Sequence, residues 1–346
     1  MTEPISSIIY CYMRRVGCGR PLIVVLGASG FLGSAIVRTL ESWPVNVRAV
    51  TRRAGWSCTG GGSAEVEVHR ACLTVPGELA AAVTGADVVI NLVAHISPAS
   101  SWRIATDDPA AERVNVGVMR ELVEVLRAEN RIRRPVVLYS GTISQVGIPP
   151  SIRIDGSEVD NPVTTYDRQK LAAERILKKA TAEGVVRGIT LRLPTVFGPS
   201  PDSGAKAHGV VATMVRCALE GKPLPLWNDG TVLRDMVYVD DAARAFVAAL
   251  DHVDRLVGEH WLIGTGEPIR VSDLLVTIAE TVAVVTGCPP VPVVSVTPER
   301  AEATDSKSFV IDSSAFRAVT GWSASISTRH ALEYTVKALV AQLARS

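Results

Sequence analysis

The chain has 346 residues, 47% of them hydrophobic, which is ample material for one large core or two modest ones and excludes a small stapled scaffold. Its 36 basic residues nearly cancel its 35 acidic ones, so the overall balance points to neither nucleic acid nor a membrane surface as a partner. The six cysteines, Cys11, Cys18, Cys58, Cys72, Cys217 and Cys288, are scattered, with no C-x-x-C pair and no histidine cluster at metal-ligand spacing; they read as reduced thiols of a cytoplasmic protein without a metal site.

Residues 1–20 are expected to form a disordered extension. The apolar run from Ile5 to Met13 follows Glu3, is diluted by Ser6 and Ser7, and is closed by Arg14 and Arg15, the wrong charge order for a signal peptide. No stretch approaches the roughly 20 apolar residues of a membrane span. Short apolar runs then alternate with longer amphipathic ones, which predicts strands over 22–26, 45–50, 64–68, 88–92, 136–139 and 190–193. Helices are predicted over 30–41, 77–83, 110–128 and 165–183. The pattern is that of a doubly wound parallel α/β sheet occupying 21–194. After Pro194 the sequence becomes turn-rich, with helix signals over 210–220 and 272–286; 195–233 and 251–346 read as a smaller mixed α/β substrate domain, and 234–250 as a return to the first.

The first strand runs straight into Gly27-Ala28-Ser29-Gly30-Phe31-Leu32-Gly33 and a helix. Each glycine serves a Rossmann phosphate loop: a tight turn, close approach of backbone to pyrophosphate, and close helix–strand packing. Where an NAD site usually ends its second strand in Asp or Glu, this chain has Thr51-Arg52-Arg53. Two guanidinium groups without a carboxylate suit a 2′-phosphate and favour NADP(H), the alternative being a solvated basic loop. Farther on, the strand over 136–139 leads into Ser140-Gly141-Thr142, whose hydroxyls face the ligand crevice or cap a turn. Tyr166 and Lys170, four apart on one helical face, place an ammonium near a phenol, lower its pKa and make Tyr166 a general acid or base.

These residues resemble the extended short-chain dehydrogenase/reductase family, the NAD-dependent epimerase/dehydratase type, and its branch acting on nucleotide-activated sugars. The similarity runs from Pro21 to about Leu339 and includes Asn91-Leu92-Val93-Ala94-His95, Arg192-Leu193-Pro194-Thr195-Val196-Phe197-Gly198-Pro199 and Arg234-Asp235-Met236-Val237-Tyr238. It implies that Thr142, Tyr166 and Lys170 are catalytic, with Ser140 as the fallback for Thr142 and Asn115 supporting the lysine through water. The cofactor residues it implies are Gly27, Ser29, Gly30, Phe31, Leu32, Gly33, Thr51, Arg52, Arg53, Cys72, Leu73, Leu92, Val93, Ala94, Pro194 and Val196, together with Tyr166 and Lys170. It assigns His95, Ser97, Thr142, Arg234 and Trp227 to substrate. Bland roles compete at three of these: a satisfied structural histidine at His95, an ion pair from Arg234 to Asp240 or Asp241, and packing at Trp227. Cys72-Leu73 departs from the family's Asp-Leu, so the adenine has to be held otherwise, and Val146-Gly147 stands where Tyr-Gly is common. Lys178 and Lys179 read as an exposed helix face.

Within the family the chain is most similar to the dTDP-4-keto-6-deoxyhexose 4-ketoreductases of antibiotic deoxysugar biosynthesis. That implies reduction of a dTDP-sugar by NADPH, with Tyr166 as proton donor, Thr142 polarising the carbonyl, and a homodimer formed by two crossover helices. Ile143-Ser144 replaces the Asp-Glu pair of the family's dehydratases, which argues against elimination. Two alternatives stay open: a 4-epimerase that keeps its NAD, and a regulatory protein that senses NADP.

Overall fold

A computed structural model describes residues 19–57, 61–95, 108–199, 209–227, 229–297 and 306–344. In chain order its main elements are β1 (Leu22–Leu26), α1 (Phe31–Leu40), β2 (Asn46–Thr51), β3 (Glu65–Arg70), α2 (Glu78–Val83), β4 (Val88–Asn91), α3 (Val118–Glu129), β5 (Val136–Thr142), α4 (Thr165–Ala182) and β6 (Arg187–Leu193). They continue with α5 (Val210–Leu219), α6 (Val239–Asp251), β7 (His260–Leu262), α7 (Val271–Thr286) and α8 (Thr328–Leu343).

The runs of β-branched residues form one parallel sheet in the order β7-β6-β5-β4-β1-β2-β3. Strand order reverses between β1 and β4, which opens a crevice at their carboxyl ends. Because successive side chains leave a strand on opposite faces, Val24, Leu26, Val89 and Val137 pack against Leu79, Leu122 and Leu177 of α2, α3 and α4. Ile23, Val25, Ile90 and Leu138 face the other way, onto Ile36 and Leu40 of α1 and Phe246 of α6. That second core continues through Leu274 and Ile278 of α7 to Leu332 and Val336 of α8, so the C-terminal segments share it with the sheet. Burial on both faces explains why the central strands read as continuous apolar runs.

Two elements differ from their predicted form in ways that shape the site. β5 does not stop at Tyr139: Ser140, Gly141 and Thr142 pair with Leu191, Arg192 and Leu193, so Thr142 is the last residue of the strand. Gly141 allows this, since a Cβ there would lie 2.8 Å from Thr190 Cγ2 and 3.1 Å from Arg192 Cγ. The helix predicted over 110–128 is interrupted by a π-helical turn, Arg113–Gly117, between the short Pro109–Glu112 helix and α3. Its wider turn shifts the helical phase, so Asn115 and Val116 are buried while Val114 is only half-buried. No helix among the described residues is long and apolar enough to cross a membrane.

Candidate active site

The glycine loop closes on itself as its residue types require. Gly27 is left-handed at φ 87°, and the amides of Gly27 and Ala28 donate to Val50 O at 3.1 and 3.0 Å, tying the loop to the end of β2. A Cβ on Gly33 would sit 2.2 Å from Gly27 O. Gly30 starts α1 without a side-chain cap, and no acidic residue stands in the first turn, so the helix N-terminus has its amides and dipole available to an anion. These features fit a dinucleotide pyrophosphate. Val93 lies against Gly27, and Leu92 N donates to Leu26 O at 3.2 Å, which brings the 92–94 stretch beside the loop. Phe31 is exposed at the helix start, with Leu32 half-buried next to it.

Thr51 is buried, and its hydroxyl donates to Ser29 Oγ at 2.5 Å while accepting Arg53 N at 3.0 Å. It braces the loop from beneath the turn. Arg52 and Arg53 follow on the exposed rim. At the position the family fills with Asp, the Cys72 amide donates to the Glu78 carboxylate of α2. Hydrogen bonds with Thr74, aided by the charge of Arg52, hold the Cys72 thiol below its ordinary range. Leu73 beside it is buried. Glu78 had no motif to announce it.

Across the crevice, Tyr166 and Lys170 lie in the first half of α4, whose N-cap is Thr164. Lys170 is buried and donates to Ser140 O at 2.5 Å, with its ammonium 4.7 Å from the Tyr139 ring centre and 5.8 Å from that of Tyr166. Burial lowers its pKa to about 7. Burial also pushes the Tyr166 phenol well up, and the neighbouring Asp167 carboxylate adds to the shift. The expected lowering of Tyr166 by Lys170 is not seen: the ammonium is drawn to the Ser140 carbonyl, and desolvation dominates the phenol. Ser140 enters the site through that backbone oxygen.

Thr142 caps the short 3-10 turn Ile143–Val146: its amide donates to Gln145 Oε1 at 3.0 Å, and its hydroxyl lies 2.8 Å from Ser144 Oγ. Ser144 in turn donates to Asp167, which also accepts from the Thr164 hydroxyl. The Asn115 side chain accepts His95 N at 2.7 Å and donates to Gln169 Oε1 at 2.7 Å and to His95 O at 3.2 Å. The π-helical turn aims it there, so it fixes the 95 backbone at the crevice mouth. His95 Nε2 is 3.6 Å from Asp108 Oδ2, and Ser97 lies outside the described residues.

Beneath this layer Arg192 forks onto Asp160 at 2.7 and 2.8 Å and onto Glu174 at 2.8 and 3.0 Å, and Gln145 donates to Glu174 at 2.8 Å. Burial alone would raise the Glu174 carboxyl, but Arg192 overrides it and holds it at about 2. Lys178, read as exposed, stands 3.1 Å from Glu174 and 2.8 Å from His260 Nδ1. The missed signal was a continuation of the stripe, since Tyr166, Lys170, Glu174 and Lys178 repeat every four residues on α4. Pro194 is buried just past β6, and Val196 is half-buried on the short strand Thr195–Phe197, which pairs with Met236–Tyr238. Arg234 donates to the carbonyls of Leu233 and Lys307, whereas Asp240 pairs with Arg38 and Asp241 with Arg244. Trp227 is exposed at the end of its strand.

Residues 23–264 match the model of the NAD dependent epimerase/dehydratase family. The protein belongs to this family. As an extended short-chain dehydrogenase/reductase, it is 28% identical to a UDP-glucose 4-epimerase of Mycolicibacterium smegmatis over 91% of this chain and 97% of that one. It is 27% identical to a D-erythronate dehydrogenase of Cupriavidus necator, over 74% of this chain and 78% of that one. Among solved structures, MoeE5 in complex with UDP-glucose and NAD superposes with a TM-score of 0.75 at 26% identity, covering 93% of this chain and 99% of MoeE5.

Proposed function

We propose that the protein is a nucleotide-sugar 4-epimerase that retains a nicotinamide dinucleotide. The observation that carries the reading is the buried Lys170 beside the Tyr166 ring, with Thr142 ending the neighbouring strand and the glycine loop across the crevice. Epimerisation is preferred to net reduction because the likeness to a UDP-glucose 4-epimerase spans nearly the whole chain. When bound, the dinucleotide supplies the hydride acceptor and donor and, in its oxidised form, a positive charge.

The chain's own groups do the rest. Gly27, Ser29, Gly30 and Gly33 hold the pyrophosphate against the amides of α1, and Leu73 and the 92–94 stretch flank the adenosine half. Tyr166 holds the proton that is exchanged with the C4 oxygen; burial raises its pKa and keeps it protonated at rest, and positive charge brought near it would lower it for the oxidative half. Lys170, anchored on Ser140 O, holds the ribose and biases Tyr166. Thr142 hydrogen-bonds the reacting oxygen, His95 borders it, and Arg234 and Trp227 serve the diphosphate and base. α3 and α4 pack side by side, and their outer faces are where we place a homodimer contact.

A second reading, NADPH-dependent 4-ketoreduction of a dTDP-4-keto-6-deoxyhexose, is favoured by one feature, the exposed Arg52 and Arg53 at the end of β2. Mass spectrometry of the dinucleotide released from the purified protein separates the two. Stoichiometric NAD, with turnover that falls by about 10²-fold or more in Tyr166→Phe, is the outcome expected of the epimerase. Protein that arrives empty and steadily consumes NADPH with keto sugars supports the reductase.

A further inference from the structure

The Thr142 side chain is backed by a hydrogen-bond chain that the mechanism above leaves unused. Thr142 Oγ1 lies 2.8 Å from Ser144 Oγ, Ser144 donates to Asp167 Oδ1, and Asp167 Oδ2 accepts the Thr164 hydroxyl at 2.7 Å. Asp167 is 3% exposed and, as a carboxylate, only accepts. Ser144 has a single hydroxyl proton. With that proton given to Asp167, the contact between the two hydroxyls is satisfied by Thr142 donating to Ser144. The Thr142 proton then points back into the protein, and what Thr142 has left for a ligand is a lone pair.

We infer that Ser144 and Asp167 are positioning residues that make Thr142 a hydrogen-bond acceptor toward the substrate, so that it grips a sugar hydroxyl in preference to a sugar carbonyl. This deepens the proposed function and rests on it. In the resting complex, with Tyr166 protonated and donating to the C4 oxygen, this reverses the expectation that Thr142 polarises a ketone: a carbonyl oxygen would meet lone pair with lone pair, whereas the C4 hydroxyl of a hexose brings the missing proton, and the Thr142 contact is released when that proton passes to Tyr166. The polarity suits an enzyme whose resting substrate is an alcohol. The competing role for Asp167 is purely local, because it is the third residue after the Thr164 cap and closes the first turn of α4. Such a role leaves ligand discrimination untouched.

Fluorine at C4 accepts but cannot donate, so it reads the polarity directly. Calorimetric titrations of the holoprotein with its retained dinucleotide reduced to the NADH form, which cannot take a hydride, would compare UDP-glucose and dTDP-glucose with their 4-deoxy-4-fluoro analogues and with UDP and dTDP alone. The wild type is expected to prefer the hydroxyl sugar by about 10-fold, the worth of one hydrogen bond. In Ser144→Ala and Asp167→Asn that preference is expected to fall to within about 2-fold, while Ser144→Thr retains it and nucleoside diphosphate affinity stays level throughout. Ser144→Ala keeps the test alive if Asp167→Asn folds poorly. A wild type indifferent to fluorine, or variants that keep the full preference, would overturn the relay alone. Wild-type protein that binds neither sugar more tightly than its nucleoside diphosphate would overturn the nucleotide-sugar reading and the relay with it.

Discussion

Lys170 brings a cation into a buried place, and the cost shows in its titration. In the unfolded chain its amine keeps the ordinary value of 10.5, and in the folded chain burial lowers it to about 7. Between those values the unfolded state binds more protons, so stability rises with pH across that window; below about pH 7 both states are charged and the burial penalty is present in full. Lys170→Met, which removes the charge and keeps the length, is therefore expected to melt higher than the wild type at pH 6, with the gap closing toward pH 10. Equal midpoints at pH 6 in a thermal melt would contradict the burial of a protonated amine. The same residue shows what a sequence can reveal. Tyr166 and Lys170 stood out because a spacing of four is local, and the hydroxyl at Thr142 stood out because it follows an apolar run. The contacts that tie these groups together, Lys170 to Ser140 O and Ser144 to Asp167, form only when β5 and α4 pack.

At the scale of elements, β5, α4 and β6 are joined by the Gln145–Glu174–Arg192–Asp160 network as well as by apolar packing. Glu174 is held near 2 against an ordinary 4.5, so its contribution to stability is complete above about pH 4.5 and is lost as pH falls toward 2. Glu174→Gln leaves Arg192 buried with one carboxylate fewer and is expected to cost about 3 kcal/mol at pH 7, by urea unfolding. The deficit should shrink between pH 4.5 and 2; a deficit constant with pH would mean that the pair is not ionic. Strands and helices were legible from periodicity to within a few residues at most ends. β7 and α8 were not predicted, β6 begins three residues earlier than expected, β5 is extended by three residues because Gly141 permits close approach to β6, and near Asn115 a π-helical turn breaks the 3.6-residue period. Neither local propensity nor pattern carries those contacts.

At the scale of the molecule, the doubly wound sheet and the family followed from the glycine loop, Tyr166 with Lys170, and the Arg192 to Pro199 motif, all short and near the sheet's carboxyl edge. The direction of the chemistry did not follow, because it depends on how the cofactor is held and recycled. Arg52 and Arg53 argued for NADPH and net reduction, yet both lie exposed on the rim, and a sequence likeness covering 91% of the chain is to an epimerase. The measurement that meets the question head-on is NMR of UDP-glucose and dTDP-glucose carrying deuterium at C4, incubated with the purified protein and no added reductant. The C4 epimer should appear with its deuterium retained, since the hydride leaves and returns to one carbon within one site. Absence of any epimer, together with one NADPH oxidised for each dTDP-4-keto-6-deoxyhexose reduced, would contradict the epimerase and leave the ketoreductase in its place.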